Sequence, residues 1–267
     1  MSNSASELYY QHSGRIGFAP LLVLFLGMPI IAALAAAYSY LVVWCPVIGY
    51  VNILFLGGFI LASSFVLTTL ARIGKSRSPI AMALLGLACG LVAVYSAWLF
   101  FIKALFEDQV SLVDLVTNPV ALGNAVYFIN QQGWWQPSGL AQWAISAVES
   151  GAILIGLTMA GWSSTDREVF CEDCGDWCEP FETMRLTPTE ALLATNSNQL
   201  KPEELLTLEE CTESDFPRFD AEVLQCNACK QLQAIRFDRV SQVMDDGQLK
   251  EKREDIPGVL IQRGDFG

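Results

Sequence analysis

Apolar positions dominate the first 162 residues in long uninterrupted runs. No charged residue stands between Arg15 and Arg72, and none between Arg77 and Lys103. The hydrocarbon layer of a membrane is about 30 Å thick and a helix rises about 1.5 Å per residue, so roughly 20 apolar residues cross it. The first run is long enough for two crossings. Its break falls at Cys45-Pro46-Val47-Ile48-Gly49-Tyr50, where proline and glycine favour a turn. The pattern predicts spans over 17–43, 51–71, 79–102 and 141–162, preceded by a polar tail over 1–16. A buried hairpin in a water-soluble fold is a poor alternative, because such a pair needs no charge-free stretch of this length. A cleavable leader ending at Ala35-Ala36-Ala37 is disfavoured: the leading segment carries Glu7, and the apolar run continues past Ala37.

Lysine and arginine near span ends set orientation. The short connection Arg72-Ile73-Gly74-Lys75-Ser76-Arg77 holds three positive charges and no negative one, whereas the loop over 103–140 holds one positive and three negative. The short loop is therefore expected in the cytoplasm and the long one outside, with both termini cytoplasmic. Within the long loop, Asn118-Pro119 opens a helix by a side-chain cap and a proline at the first helical position. Val120, Leu122, Val126 and Ile129 would form its apolar stripe. Trp134 and Trp135 then favour the headgroup layer, followed by Pro137. This amphipathic segment is expected to lie on the outer surface as an anchor.

After Trp162 the pattern changes. The stretch up to Trp162 carries five acidic and five basic residues, and the remaining 23 acidic and 11 basic residues follow it, so the net charge of −12 sits on the segment 163–267. Alternating residues predict strands leading into Cys226 through Val223-Leu224 and out of it through Leu232, Ala234 and Ile235-Arg236-Phe237 toward Val240 and Val243. A turn at Asp245-Asp246-Gly247 and a return over Gln248 to Ile256 complete a hairpin. Thr187-Pro188-Thr189-Glu190 and Lys201-Pro202-Glu203-Glu204 each open a helix, with Leu192, Leu193, Leu205, Leu206 and Leu208 as apolar faces.

The strongest chemical pattern is Cys171-Glu172-Asp173-Cys174 with Cys226-Asn227-Ala228-Cys229. Two intervening residues let one tight turn aim both sulfurs at a point, and two such turns complete a tetrahedral thiolate shell. Four thiolates close the coordination sphere, so the ion is structural and zinc is the expected metal. The same four ligands suit an iron–sulfur cluster, and a CxxC can serve thiol redox chemistry. Gly175 fits the first turn, while Lys230 follows the second and gives no such help. Cys178 and Cys211 are extra thiols, with Cys178 read as buried or free beyond the first turn. Cys45 and Cys89 read as small apolar residues. The cytosol keeps thiols reduced, which agrees with the expected orientation.

Glu149 is the one charge inside a predicted span. A carboxylate there faces the bundle interior or water. It reads either as a proton- or cation-linked site or as a residue that reaches the interface or bonds to a neighbouring hydroxyl such as Ser146 or Ser150. The second is favoured, since one acid without a visible partner makes no pathway. Gly86-x-x-x-Gly90 and Ala152-x-x-x-Gly156-x-x-x-Ala160 offer close helix contact, within the bundle or in a homo-oligomer.

The chain holds no phosphate-binding glycine loop, no G-x-S-x-G and no HExxH, and its one histidine is His12 in a polar tail. The motifs thus point away from an enzyme. A segment of charge −12 repels nucleic acid, whose binding needs lysine and arginine against phosphate. A basic protein surface is the more natural partner.

These features together resemble a group of uncharacterised bacterial multi-pass membrane proteins that end in a cytoplasmic zinc ribbon. The resemblance rests on Gly74-Lys75-Ser76-Arg77, Asn118-Pro119 leading to Ile129-Asn130, and Gly133-Trp134-Trp135. It extends to Trp143 with Glu149, Phe170-Cys171-Glu172-Asp173-Cys174, and the leucine-rich helices before Cys226. It implies a bacterial inner membrane and brings no activity. The expected architecture is mainly α: a four-helix transmembrane bundle over 17–162 with an outer amphipathic loop over 103–140. A small α+β zinc-ribbon domain with a helical insertion follows over 163–267. The function expected is a membrane adaptor or scaffold acting through its cytoplasmic domain. The alternatives are a transport or proton-linked component using Glu149, and a thiol-redox membrane protein using the CxxC pairs.

Overall fold

The computed structural model describes residues 9–45, 50–133, 138–213, 215–245 and 248–263. The expected turn at Pro46–Gly49, the membrane-surface roles of Trp134, Trp135 and Pro137, and the hairpin tip at Asp246-Gly247 lie outside the described residues. The chain divides into two compact units: one is Ser13–Asp166, the other joins Met1–His12 to Arg167–Gly267.

The first unit contains four helices long and apolar enough to cross a membrane: Ala19–Trp44, Tyr50–Ile73, Pro79–Phe106 and Leu140–Asp166. The first span contains a π-helical stretch, Val23–Gly27, immediately before Pro29. Proline has no N–H and its ring clashes with the carbonyl four residues earlier. The wider turn gives that clash room, and the Met28 N–H bonds instead to the Val23 carbonyl. The third span starts where the sequence places it: Ser78 Oγ accepts from the Ala81 N–H at 3.4 Å, and Pro79 takes the first position.

The first span packs on the third, the third on the fourth, the fourth on the second and the second on the first. The first and fourth spans therefore face each other across the bundle. The third and fourth approach most closely. A Cβ on Gly86 would stand 2.3 Å from the Leu157 carbonyl oxygen, and one on Gly161 would stand 2.2 Å from that of Met82. Gly156 meets Ile60 of the second span. Gly86, Gly90 and Gly156 of the two stripes thus serve contacts inside this bundle, and Gly161, just beyond the Ala152–Ala160 stripe, makes the tightest one between the third and fourth spans.

The helix after Asn118-Pro119 spans Pro119–Gln132, with Asn118 Oδ1 accepting from the Ala121 N–H at 3.1 Å. Leu122 and Ile129 are buried against Leu99, Ile102 and Leu115, and Val126 packs at the edge of that cluster. Val120 is exposed, which corrects the expected stripe. Because Leu122, Val126 and Ile129 follow helical spacing, they define the buried face, and Val120 falls off it. The segment is docked on the end of the third span.

The second unit is built on an antiparallel sheet of order β3-β4-β5-β6: Glu179–Leu186, Arg218–Gln225, Leu232–Asp245 and Gln248–Arg263. A separate hairpin pairs β1 (Phe170–Cys171) with β2 (Asp176–Trp177). Phe219, Ala221, Phe237, Ile256 and Leu260 form the core with Leu186, Leu200 and Leu205. Leu186 ends β3, while Leu200 and Leu205 come from the segment between β3 and β4, which holds short helices at Glu190–Ala194 and Pro202–Leu205. They are one turn each, and they serve as a cover for the sheet. β4 is buried on both faces. Its polar face holds Arg218, 2% exposed, whose Nε donates to Asp220 Oδ1 at 2.8 Å while Nη1 donates to the Glu213 carbonyl at 2.6 Å. A charge taken from water needs such pairing.

Candidate metal centre

The first turn of the cysteine pattern is the β1–β2 hairpin. Cys171 lies opposite Asp176, and the Gly175 N–H bonds to the Cys171 carbonyl at 2.8 Å. Gly175 has φ +67°, left-handed backbone that a glycine takes without steric cost. The second turn joins the ends of β4 and β5, just past the Gln225–Gln233 pair. Its Lys230 N–H bonds to the Cys226 carbonyl at 2.8 Å, and the Cys226 N–H bonds to the Leu232 carbonyl at 3.1 Å. Lys230 itself has φ +57°. The second turn therefore has the same geometry as the first, with a lysine held where glycine would be easy.

Together the turns bring Cys171, Cys174, Cys226 and Cys229 to one place, with every pair of sulfurs within 4.8 Å. Cys171 Sγ and Cys229 Sγ are 3.9 Å apart. A tetrahedral thiolate site with metal–sulfur bonds near 2.3 Å has edges of about 3.8 Å. The group is positioned to hold a metal ion. Cys171 and Cys226 are buried, Cys229 is half-buried and Cys174 is exposed. Val169, Leu224, Leu232 and Ala234 wall the inner side.

The electrostatics also call for a cation. The backbone N–H groups of Gln231 and Leu232 point at Cys229 and draw its thiol down to about 6. Burial pushes the Cys171 thiol up, and the hydrogen bond to Cys229 is the largest influence raising Cys174. One sulfur anion is welcome there and the next are not, unless a positive ion joins them. Cys178 is buried beside this group without belonging to it. Its N–H closes the β1–β2 hairpin on the Val169 carbonyl at 2.8 Å, and burial pushes its thiol up to about 12. Cys211 lies apart, its N–H on the Arg185 carbonyl at 2.8 Å. Cys45 is half-buried, and Cys89 is buried in the bundle core.

Two contributors escaped the sequence pattern. Tyr10 reaches in from the other end of the chain: its hydroxyl accepts from the Phe170 N–H at 3.1 Å, and its own N–H bonds to the Val259 carbonyl at 2.8 Å. Tyr9 pairs with Leu260 and donates its hydroxyl to Glu203. β3 was also unannounced, since Glu179–Leu186 reads as charged and proline-bearing.

In the bundle, Glu149 accepts a hydrogen bond from Tyr38 of the first span. This replaces the serine partners expected for it. Ser146 Oγ instead donates to Asn130 Oδ1 at 2.8 Å, because at this turn of the fourth span it faces the Pro119–Gln132 helix.

Set beside family models, curated proteins and solved structures, the chain finds no match in any of the three.

Proposed function

We propose that the chain is a non-enzymatic protein of the bacterial inner membrane whose cytoplasmic, zinc-loaded domain docks a protein partner. The observation that carries this reading is the far end of the β5–β6 hairpin. β4 accompanies β5 only as far as Val240, so residues 241–245 and 248–252 continue as a two-stranded ribbon. Met244 and Leu249 are cross-strand neighbours there, 67% and 63% exposed, and Val243 is exposed beside them. Apolar side chains grouped at the tip of a projecting ribbon make a compact anchor for a partner, of the kind that dominates binding energy at interfaces. The surrounding domain of net charge −12 favours a partner with a basic rim.

The closed set of four sulfurs, which leaves no position for water or substrate and suits a structural ion, supports zinc as the metal. The thiol-redox alternative has less support, because all four sulfurs converge where a redox pair would present one accessible thiolate. The cytoplasmic orientation rests on Arg72, Lys75 and Arg77 in the short loop, and the bacterial setting on the resemblance described above.

The test places a photoreactive side chain at Met244 or Leu249 of the full-length protein in native membranes. A single discrete partner is expected, lost in Cys226→Ser and after chelation. The absence of any crosslinked species, or crosslinking indifferent to both treatments, overturns the reading.

A further inference from the structure

The membrane unit holds a half-open cavity of about 670 Å³, lined by residues of all four spans. It lies toward the end of the bundle remote from the turn between Ile73 and Pro79, beside Tyr38 and Ser39, Asn52, Ala97 and Trp98, and Glu149. Gln142, Ser146 and Ser150 also line it, and the rest of its wall is aliphatic and aromatic. Ile53, Ile145 and Val148 line it and are exposed at the surface of the bundle, so its rim meets the apolar phase that surrounds the spans.

The polar groups facing this space divide into satisfied and unsatisfied. Ser39 Oγ is committed to the Ala35 and Ala97 carbonyls, both at 2.8 Å. Ser146 Oγ is committed to Asn130. Tyr38 gives its one proton to Glu149, and its ring is fixed by stacking on Phe59 at 5.3 Å and 13°. Gln142 and Ser150 of the fourth span stand at the wall as well, and two acceptors are short of donors. Asn52 Oδ1 is buried and has no hydrogen-bond partner among the described residues. The Glu149 carboxylate has Tyr38 as its one donor among the described residues, leaving capacity for more. Acceptors without donors in a low-dielectric space are costly, and a carboxyl there either keeps a proton or pairs with a counter-charge.

We propose that this cavity is a binding site for a protonated amine carrying an apolar body, with Glu149 as its counter-ion. The ammonium brings the donors that Glu149 and Asn52 lack. Trp98 and Phe101 line the same space, and aromatic rings of this kind attract a cation. The remaining volume takes an apolar body of drug-like size. An anionic amphiphile meets the carboxylate with like charge. A neutral body without an N–H or O–H brings neither a donor for these acceptors nor a counter-charge. The inference rests on the membrane unit alone and is independent of the proposed docking by the other unit.

The experiment uses the full-length protein in nanodiscs of phosphatidylcholine. Three probes share one apolar tail: dodecyldimethylamine at pH 7, neutral dodecyl methyl ether and anionic dodecanoate. Binding is followed by equilibrium dialysis and by tryptophan fluorescence. Saturable binding of the amine at one per chain is expected, at least about tenfold tighter than that of either other probe. Glu149→Gln should weaken the amine about tenfold and leave the ether unchanged. Val94→Trp, which fills the cavity, should abolish binding while the thermal melt confirms folding. Equal binding of all three probes, or amine binding that survives Val94→Trp, overturns the proposal. If Glu149→Gln does not fold, the three-probe comparison and Val94→Trp decide.

Discussion

Gly175 and Lys230 occupy the same place in the two cysteine turns, with φ of +67° and +57° and matching N–H bonds of 2.8 Å to Cys171 and Cys226. The left-handed conformation costs an L-residue roughly 1–2 kcal/mol, part of which glycine returns as chain entropy in the unfolded state. Lys230→Gly is therefore expected to stabilise the metal-loaded protein by about 0.5–1 kcal/mol with metal content unchanged. Denaturant melts of the full chain check this. Destabilisation would mean that the lysine stem packs on something its exposure does not reveal.

Cys226 and Cys178 are both buried and separate cleanly as tests of the ligand set. Cys226→Ser should lose the metal and with it folding free energy on the order of 10 kcal/mol, since such a site is absent from the unfolded chain. Cys178→Ala should keep one metal per chain and lose only a small buried group. Metal analysis after gel filtration reads both. Metal loss in Cys178→Ala would move the ligand set.

Tyr9 and Glu203 carry a pH dependence for the second unit. Burial first, then the bond to Glu203, raises the Tyr9 phenol to about 12. A raised phenol stabilises the fold fully below its ordinary value near 10 and loses that contribution as pH climbs through about 12. The same bond holds the Glu203 carboxyl below the usual carboxylate range, so its share is present above that range and fades on acidification. The stability gap between wild type and Tyr9→Phe should be flat from about pH 6 to 10 and shrink above that. In Glu203→Gln the phenol midpoint, read by ultraviolet absorbance, should fall part of the way toward 10. A midpoint unmoved by that change would assign the whole shift to burial.

Gly86→Val places a side chain where a Cβ already stands 2.3 Å from the Leu157 carbonyl oxygen. Forcing the third and fourth spans apart should cost about 1–3 kcal/mol, visible as a lower melting temperature in detergent. Gly57→Ala is the control, because a Cβ there meets nothing within 4 Å. Its melting temperature should hold or rise.

The sequence by itself determined what depends on local pattern. Charge-free runs bounded by Arg15, Arg72, Arg77 and Lys103 require helices of membrane length, and the four spans stand within a few residues of the expected places. The paired CxxC spacing requires two tight turns, and Ser78-Pro79 and Asn118-Pro119 set helix starts by caps that act over one turn. Tertiary structure alone decided which distant groups meet. Nothing near Glu149 in the chain names Tyr38, because the bond joins residues of the first and fourth spans that lie 111 apart in sequence. Nothing near Cys171 names Tyr10, because that contact needs both ends of the chain at one hairpin. β3 was hidden for the same reason: Glu179–Leu186 becomes a strand through pairing with β4, while its own residues carry no alternating apolar face. Local sequence fixes backbone preference over a few residues, and long-range contacts are settled only when the whole chain packs.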